Sequence, residues 1–213
     1  MIVSTITVGA FQENCYLVGD PNSAASALVD PGSEGDRIIA EVERAGRDIE
    51  VIWITHAHVD HIGAIADVKR RWNVPVHLHP LDAPLYRVGG RQAQLYGIPY
   101  EEPPGPDAQF ADGQTLRLGG LELSVMHVPG HAPGHVMIYG HGAALVGDCL
   151  FAGSIGRTDL PFSNGAQLEA SLQRIAALAP ETIVYPGHGD STTIGEERIS
   201  NPFLNGSARI VRV

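Results

Sequence analysis

The chain has 213 residues, 44% hydrophobic and 18% charged, with a formal net charge of −10. This composition suits one soluble globular domain with a sizeable core and excludes a disordered segment; nucleic-acid binding is set aside, because it leaves a basic footprint. The two cysteines, Cys15 and Cys149, make no disulfide framework, so a reducing cytoplasm is the simplest setting, and both residues just after Cys149 are apolar, which reads as a buried inert thiol. No apolar run approaches the roughly 20 residues of a membrane span. The start, Met1-Ile2-Val3-Ser4-Thr5, lacks the cationic stretch and apolar run of a secretory signal, so no membrane partner is expected.

Residues 2–8 alternate and predict a strand. Asn14–Val18 and Ala25–Val29 come next as two more, joined through Asp20-Pro21-Asn22-Ser23, so the opening is an antiparallel meander. Ser33 reads as the N-cap of a helix through Ala45, with Ile38, Ile39 and Val42 as its stripe and Gly46 as its stop. Val51–Ile54 is a buried strand. A helix with Ile62, Ile65, Val68 and Trp72 in phase comes soon after, then a strand at Val76–Leu78 and a short helix near 81–87. Residues 88–108, rich in glycine and proline, read as a long loop, either a flap over a site or a connector between halves. Strands return at Thr115–Leu118, Leu121–Val128, Val136–Tyr139 and Ala143–Val146. A helix over Ala166–Ala177, a strand at Thr182–Tyr185 and a helix within 192–200 complete the series. Arg209–Val213 alternates and reads as an edge strand or a homodimer contact.

Between the strand at 51–54 and its helix lies Thr55-His56-Ala57-His58-Val59-Asp60-His61. Imidazole is the commonest side-chain metal ligand, and the carboxyl edge of a sheet is where ligands of open α/β sheets bind. His56 and His58, two apart on extended chain, can point to one side. Asp60 and His61 begin the helix and point elsewhere, so one segment can feed two neighbouring ions. Four donors do not complete two sites, and the rest of the chain must supply more.

A weak internal repeat suggests where. Ser26-Ala27-Leu28-Val29-Asp30, helix, strand, His56 matches Ala143-Ala144-Leu145-Val146-Gly147-Asp148, helix, strand, His188 in order. Two such halves, sheets inside and helices outside, make a four-layer αββα sandwich of the α/β class, with two mixed sheets. Asp148 and Asp30 then hold equivalent places. His131 sits in Pro129-Gly130-His131-Ala132-Pro133-Gly134-His135 and His188 in Pro186-Gly187-His188-Gly189, tight loops that let backbone approach an ion. The count gives His56, His58 and His131 to one metal and Asp60, His61 and His188 to the other, with Asp148 bridging. Asp30 either supports the His56–His61 loop by hydrogen bonding or makes an Asx-turn with Gly32. Five of the ten histidines remain: His77, His79, His127 and His141 read as surface or core, and His135 as packing behind the site or orienting a ligand.

This set of residues, His56-Ala57-His58-Val59-Asp60-His61 with His131, Asp148 and His188, resembles the metallo-β-lactamase superfamily over nearly the whole chain. Four further strings are similar to the short single-domain form of glyoxalase II, the hydroxyacylglutathione hydrolases. They are Glu13-Asn14-Cys15-Tyr16-Leu17, Gly147-Asp148-Cys149-Leu150-Phe151, Gly153-Ser154-Ile155-Gly156-Arg157-Thr158-Asp159 and Asn201-Pro202-Phe203-Leu204. The resemblance implies the αββα fold and the seven metal ligands at these positions. It also implies two divalent ions, zinc first and iron or manganese as alternatives, and Arg157 as the substrate-contacting basic residue. Longer members add a C-terminal helical domain whose basic residues help hold glutathione. They also have a tyrosine just after the His188 position, where this chain has Gly189, and an aromatic where it has Asp159.

The chemistry expected is hydrolysis of a small thioester, glutathione-linked as in S-lactoylglutathione. A hydroxide shared by two ions attacks the carbonyl, Asp60 orients it, and Asp148 holds the pair of ions together. A thiol of reference pKa about 8.5 leaves without much help, whereas an amide nitrogen would need a proton, which weakens a β-lactam reading. The sequence also resembles a persulfide dioxygenase, in which His56, His131 and Asp148 would hold one iron. A lactonase of the same fold and a metal-stabilised module without turnover are the remaining alternatives; against the last, a structural site is closed by four ligands.

Overall fold

Two six-stranded sheets carry the molecule, and the pattern of alternation along their strands explains how they stack; the computed structural model describes residues 1–210. The first sheet is β1 (Ile2–Val8), β2 (Glu13–Gly19), β3 (Ala25–Val29), β4 (Asp48–Trp53), β5 (Val76–Leu78) and β6 (Ala108–Gln109), in that spatial order. Its first three strands are antiparallel and the pairs from β3 onward are parallel. The second half contributes β7 (Thr115–Leu118), β8 (Leu121–His127), β9 (Val136–Gly140) and β10 (Ala143–Gly147), a small hairpin of β11 (Leu150–Phe151) and β12 (Ser154–Ile155), then β13 (Ile183–Pro186) and β14 (Thr192–Thr193). Its sheet runs β14-β13-β10-β9-β8-β7, antiparallel except for the parallel pair β10–β13.

Along β3, Ala27 and Val29 point to a core shared with Trp53 of β4 and with Leu123, Val125, Ile138 and Leu145 of the other sheet. Leu28 between them points the opposite way, onto Ile38 and Val42 of α1 (Gly35–Arg44) and Ile65 and Val68 of α3 (Ile65–Trp72). On β10, Leu145 is inward while Ala144 and Val146 meet Leu168, Leu172 and Ile175 of α6 (Gly165–Ala176). Period-two side-chain direction thus gives each central strand two apolar faces and yields the four layers. Each fully buried Leu or Ile contributes about 1.5–3 kcal/mol relative to exposure.

Several boundaries differ from the sequence reading. Helix α1 is capped at Glu34, whose φ of 52° is left-handed and whose side chain makes no cap bond, rather than at Ser33. Ser33 packs instead against Gly9, where an added Cβ would lie 2.9 Å from the serine Cβ. The single helix expected after the histidine cluster is two, α2 (Val59–Ile62) and α3. The break falls at Gly63-Ala64, because Ala64 donates its N–H to the Pro31 carbonyl at 2.9 Å and a Cβ on Gly63 would be 2.4 Å from the Gly32 oxygen.

The 88–108 segment is not a plain loop. After a 3-10 turn at Pro80–Asp82 and α4 (Ala83–Arg87), it holds α5 (Gly89–Tyr96), and β6 lies at its end. Two glycines at the start mask that helix, since Gly is a poor helix former; Gly89 is there for space, as a Cβ would meet the Tyr100 hydroxyl at 2.3 Å. Residues 192–193 are strand β14 before α7 (Ile194–Ser200). Of the expected edge strand at 209–213, residues 209–210 form no strand and 211–213 lie outside the described residues.

Candidate metal centre

The parallel pairs β3–β4 and β10–β13 each bring two carboxyl ends side by side, with Val29 opposite Trp53 and Gly147 opposite Pro186. Asp30 and the Thr55–His56 segment leave one such edge, Asp148 and His188 the other, and the edges face each other. His58 is the N-cap of α2, with extended backbone (φ −71°, ψ 150°), so Asp60 and His61 lie in the first helical turn. His131 comes from the loop between β8 and β9.

Donor atoms of His56, His58 and His131 all lie within 4.8 Å of one another, as do those of Asp60, His61 and His188. Asp148 spans the two groups: Oδ1 is 3.4 Å from His61 Nε2, and Oδ2 is 3.6 Å from His131 Nε2 and 3.5 Å from His188 Nε2. Asp60 Oδ2 is 3.3 Å from His188 Nε2. This closeness requires Gly187, where a Cβ would stand 2.1 Å from Asp148 Oδ1.

The hydrogen bonds behind the rings set which nitrogen faces inward. His131 Nδ1 donates to the Arg157 carbonyl at 2.9 Å and His188 Nδ1 to the Phe11 carbonyl at 3.1 Å, since a carbonyl only accepts. His61 Nδ1 donates to Asp30 Oδ2 at 3.0 Å. The Thr55 hydroxyl gives its hydrogen to Asp30 Oδ2, so its oxygen accepts from His56 Nδ1 at 3.2 Å. Four imidazoles are therefore tied through Nδ1 and offer the Nε2 lone pair to the cleft. The fifth, His58, offers Nδ1, which lies 2.9 Å from His131 Nε2.

The electrostatics set the charge of each donor. Burial, and then the neighbouring His131, push His58 down to about 3. Burial lowers His56 well below its usual value, with His61 adding to it. His188 is drawn up to about 9, because Asp148 and Asp60 outweigh its burial. His61 is likewise held well above the usual range by Asp148 and Asp60 against its burial. Asp148 itself is buried, yet His61 and His188 keep its carboxyl well below the ordinary value. His56 Nε2, His61 Nε2 and Asp148 Oδ1 are buried without a hydrogen-bond partner among the described residues. Buried polar atoms without partners are costly, and lone pairs crowded around carboxylates are the donor set that suits divalent cations. The residues present fit such ions.

Asp30 supports the cluster: Oδ1 accepts from the Thr55 N–H at 2.7 Å and Oδ2 from the Thr55 hydroxyl and His61. The bonds fall on Thr55 and the His61 ring rather than on the backbone of residues 56–61. His135, buried, stacks on His56 with centroids 4.7 Å apart and accepts the Asp148 N–H on Nε2 at 3.0 Å. Its Nδ1 faces Cys149 Sγ at 3.4 Å. Both cysteines are free and buried, and burial pushes their thiols up.

Two supporting residues escape the sequence reading. Asp82, fully buried, accepts the Ala57 N–H on Oδ2 at 2.9 Å and the Gly134 N–H on Oδ1 at 2.5 Å, so it joins the His56–His58 stretch to the His131 loop. Glu13, also buried, lies 3.8 Å from His61 Nδ1 with neither oxygen hydrogen-bonded, and burial raises its carboxyl well above the usual value. The string Glu13-Asn14-Cys15-Tyr16-Leu17 holds Glu13 but gives it no role, and at Asp82 the faint signal is a carboxylate between Leu81 and Ala83.

Around the cluster lies a cavity of about 400 Å³, lined among others by Phe11, Gln92, Tyr96, Phe151, Arg157 and Leu160. Helix α5 supplies Gln92, which accepts the Val59 N–H at 3.2 Å, and Tyr96, whose ring meets Phe11 edge-on at 5.2 Å. The segment read as flap or connector thus forms one wall. Arg157 lines the cavity, and its guanidinium is paired with Asp159. No helix among the described residues is long and apolar enough to cross a membrane.

Comparison with known proteins agrees with this fold. The metallo-beta-lactamase superfamily model matches residues 8–188. Hydroxyacylglutathione hydrolase GloC of Haemophilus influenzae is 38% identical, over 98% of this chain and all of that protein. The crystal structure of TTHA1623 in a di-iron-bound form is 43% identical, with TM-score 0.88, covering 95% of this chain and 100% of that one. That of the B3 metallo-beta-lactamase BLEG-1 is 35% identical with TM-score 0.90, covering 96% and 100%. Sheets, donor edges and match span agree: the chain belongs to the metallo-β-lactamase superfamily.

Proposed function

We propose that the chain is a binuclear metal-dependent hydrolase of small thioesters, of the S-lactoylglutathione type. The observation that carries this reading is the convergence of His56, His58, His131, Asp60, His61, His188 and Asp148 in one cluster, in two triplets with Asp148 in reach of both, and five of the seven line the cavity. Similarity to a hydroxyacylglutathione hydrolase supports the substrate class. His56, His58 and His131 would hold one cation and Asp60, His61 and His188 the other, with Asp148 between them. Zinc is the first expectation, and the di-iron form of a structural neighbour keeps iron in view.

Two bound divalent cations supply a water of lowered pKa and a Lewis acid for a carbonyl oxygen. The chain's own residues do the rest. Asp60, whose carboxyl is buried but kept ionised by His61 and His188, accepts a hydrogen bond from the attacking water and orients it. The Nδ1 anchors of four histidines hold the ring planes, so little reorganisation is needed during the reaction. Phe11, Tyr96 and Phe151 give an acyl or thiol chain an apolar wall. No lysine among the described residues lines the cavity, and a thiolate leaving group needs no strong acid; an amide does, which disfavours β-lactams.

The deciding experiment is metal quantification on the isolated protein beside S-lactoylglutathione hydrolysis. Two metal equivalents with turnover are expected. One iron with oxygen uptake on a persulfide would replace the reading with the dioxygenase. Loss of activity on chelation with the fold intact marks an enzyme, and unfolding marks a structural site.

A further inference from the structure

Arg157 is the single lysine or arginine lining the cavity among the described residues, so it is the natural partner for any carboxylate on an incoming substrate. It is already engaged. Nε donates to Asp159 Oδ1 at 2.7 Å and Nη2 to Asp159 Oδ2 at 2.8 Å, the two-pronged arrangement a guanidinium makes with a carboxylate. The pair sums to zero charge where Arg157 borders a cleft that already holds Asp60 and Asp148, with Asp159 in the adjoining groove, in a chain of net charge −10. The Arg157 carbonyl is fixed to His131, so the residue cannot drift from the site even while its guanidinium is turned to Asp159.

The side chains are 59% and 61% exposed. An ion pair that open is worth at most about 1 kcal/mol, so an arriving carboxylate can displace Asp159 but must compete with it. We propose that Asp159 is a specificity-determining residue: it competes with substrate carboxylates for Arg157 and turns the site from carboxylate-bearing thiol halves toward uncharged ones. The substrate class rests on the thioesterase reading; the discrimination rests on the Arg157–Asp159 geometry alone. Chemically, thioesters of uncharged thiols are then accepted at least as readily as those of glutathione.

The test is calorimetric binding of two inert thioethers to the metal-loaded protein: S-butylglutathione, which carries carboxylates, and S-butyl-N-acetylcysteamine, which carries no charge. Asp159→Asn should tighten S-butylglutathione by about twofold to fivefold, the ratio matching loss of an exposed pair, and move the uncharged probe less. The gain should vanish in Arg157→Gln/Asp159→Asn and shrink in high salt. Equal tightening of both probes, no tightening, a gain that survives Arg157→Gln, or no measurable S-butylglutathione binding by Asp159→Asn would each overturn the proposal. Both side chains are exposed, so these variants keep the fold. S-Lactoylglutathione hydrolysis by the unaltered protein is scored separately: if it fails while Asp159→Asn gains affinity, the thioesterase reading falls and this inference stands.

Discussion

Asp30 and Asp148 occupy matching places in the two halves, each just past a strand that runs parallel to its neighbour, yet they do opposite things. Asp30 spends its oxygens on Thr55 and His61. Asp148 leaves Oδ1 without a hydrogen-bond partner and aims both oxygens at imidazole nitrogens. The difference lies in the residues that the neighbouring strand delivers at its carboxyl end. After β4 the chain brings Thr55 and four donors, so a carboxylate there is needed to hold them. After β13 it brings Gly187 and His188 alone, which leaves room for Asp148 to reach the centre. A duplicated frame thus divides into a half that is braced and a half that bridges.

Breaking the bridge should have the largest effect. Asp148→Ala removes the group common to both triplets, and turnover should fall by about a thousandfold or more, the scale of losing a main electrostatic element. His58→Ala should do likewise. Near-normal hydrolysis by either variant would end the binuclear assignment.

The next effect concerns protons. Without metal, His188 is held up to about 9 and His61 also lies above its ordinary value. A raised imidazole adds stability that is complete below the unfolded value of about 6.5 and fades as pH rises through the folded one. Metal-free protein should therefore lose stability from pH 6.5 to 8.5, by up to about 1.4 kcal/mol per pH unit for each histidine. In the loaded protein a cation takes the place of those protons, and the loss should be absent. Urea midpoints at the two pH values, with and without chelator, measure it. Parallel falls in both forms would mean the carboxylate field is not what the metal satisfies.

Bracing is probed by Asp30→Asn. An amide cannot serve all three donors, so His61 loses its fixed tautomer. Metal affinity should fall about 10- to 100-fold, as for other partners of ligating histidines. Competition with a chromophoric chelator reads this, and an unchanged affinity would return Asp30 to a local turn role.

Much of this division is legible in the residues. Short apolar runs rich in β-branched residues give the central strands, and the spacing of His56, His58, Asp60 and His61 across a strand–helix junction gives two directions of approach. The repeat points to Asp148 because its strand matches that of Asp30. What stays hidden are contacts between segments far apart in the chain. The split of α2 from α3 depends on Pro31 and Gly32 packing at residues 63–64, and α5 begins on Gly89, whose value is the space it leaves for Tyr100. Asp159 is visible as a departure from the aromatic expected there, but its bond to Arg157 is not.

Asp82 is the clearest hidden contact and sharpens the comparison most finely, because it joins the halves at one triplet only. It accepts from Ala57, between His56 and His58, and from Gly134, three residues past His131. Burial raises its carboxyl to about 6 even though both backbone donors pull it down. Asp82→Asn keeps the shape but can accept on one side alone, so one buried N–H loses its partner at a cost of about 1–3 kcal/mol. The triplet His56, His58 and His131 should loosen, and the metal equivalent it holds should weaken by about tenfold. Asp60, His61 and His188 have no bond to Asp82, so the other equivalent should hold. Stepwise metal titration of the variant separates the two. If both equivalents weaken alike, Asp82 stabilises the fold as a whole rather than one side of the centre.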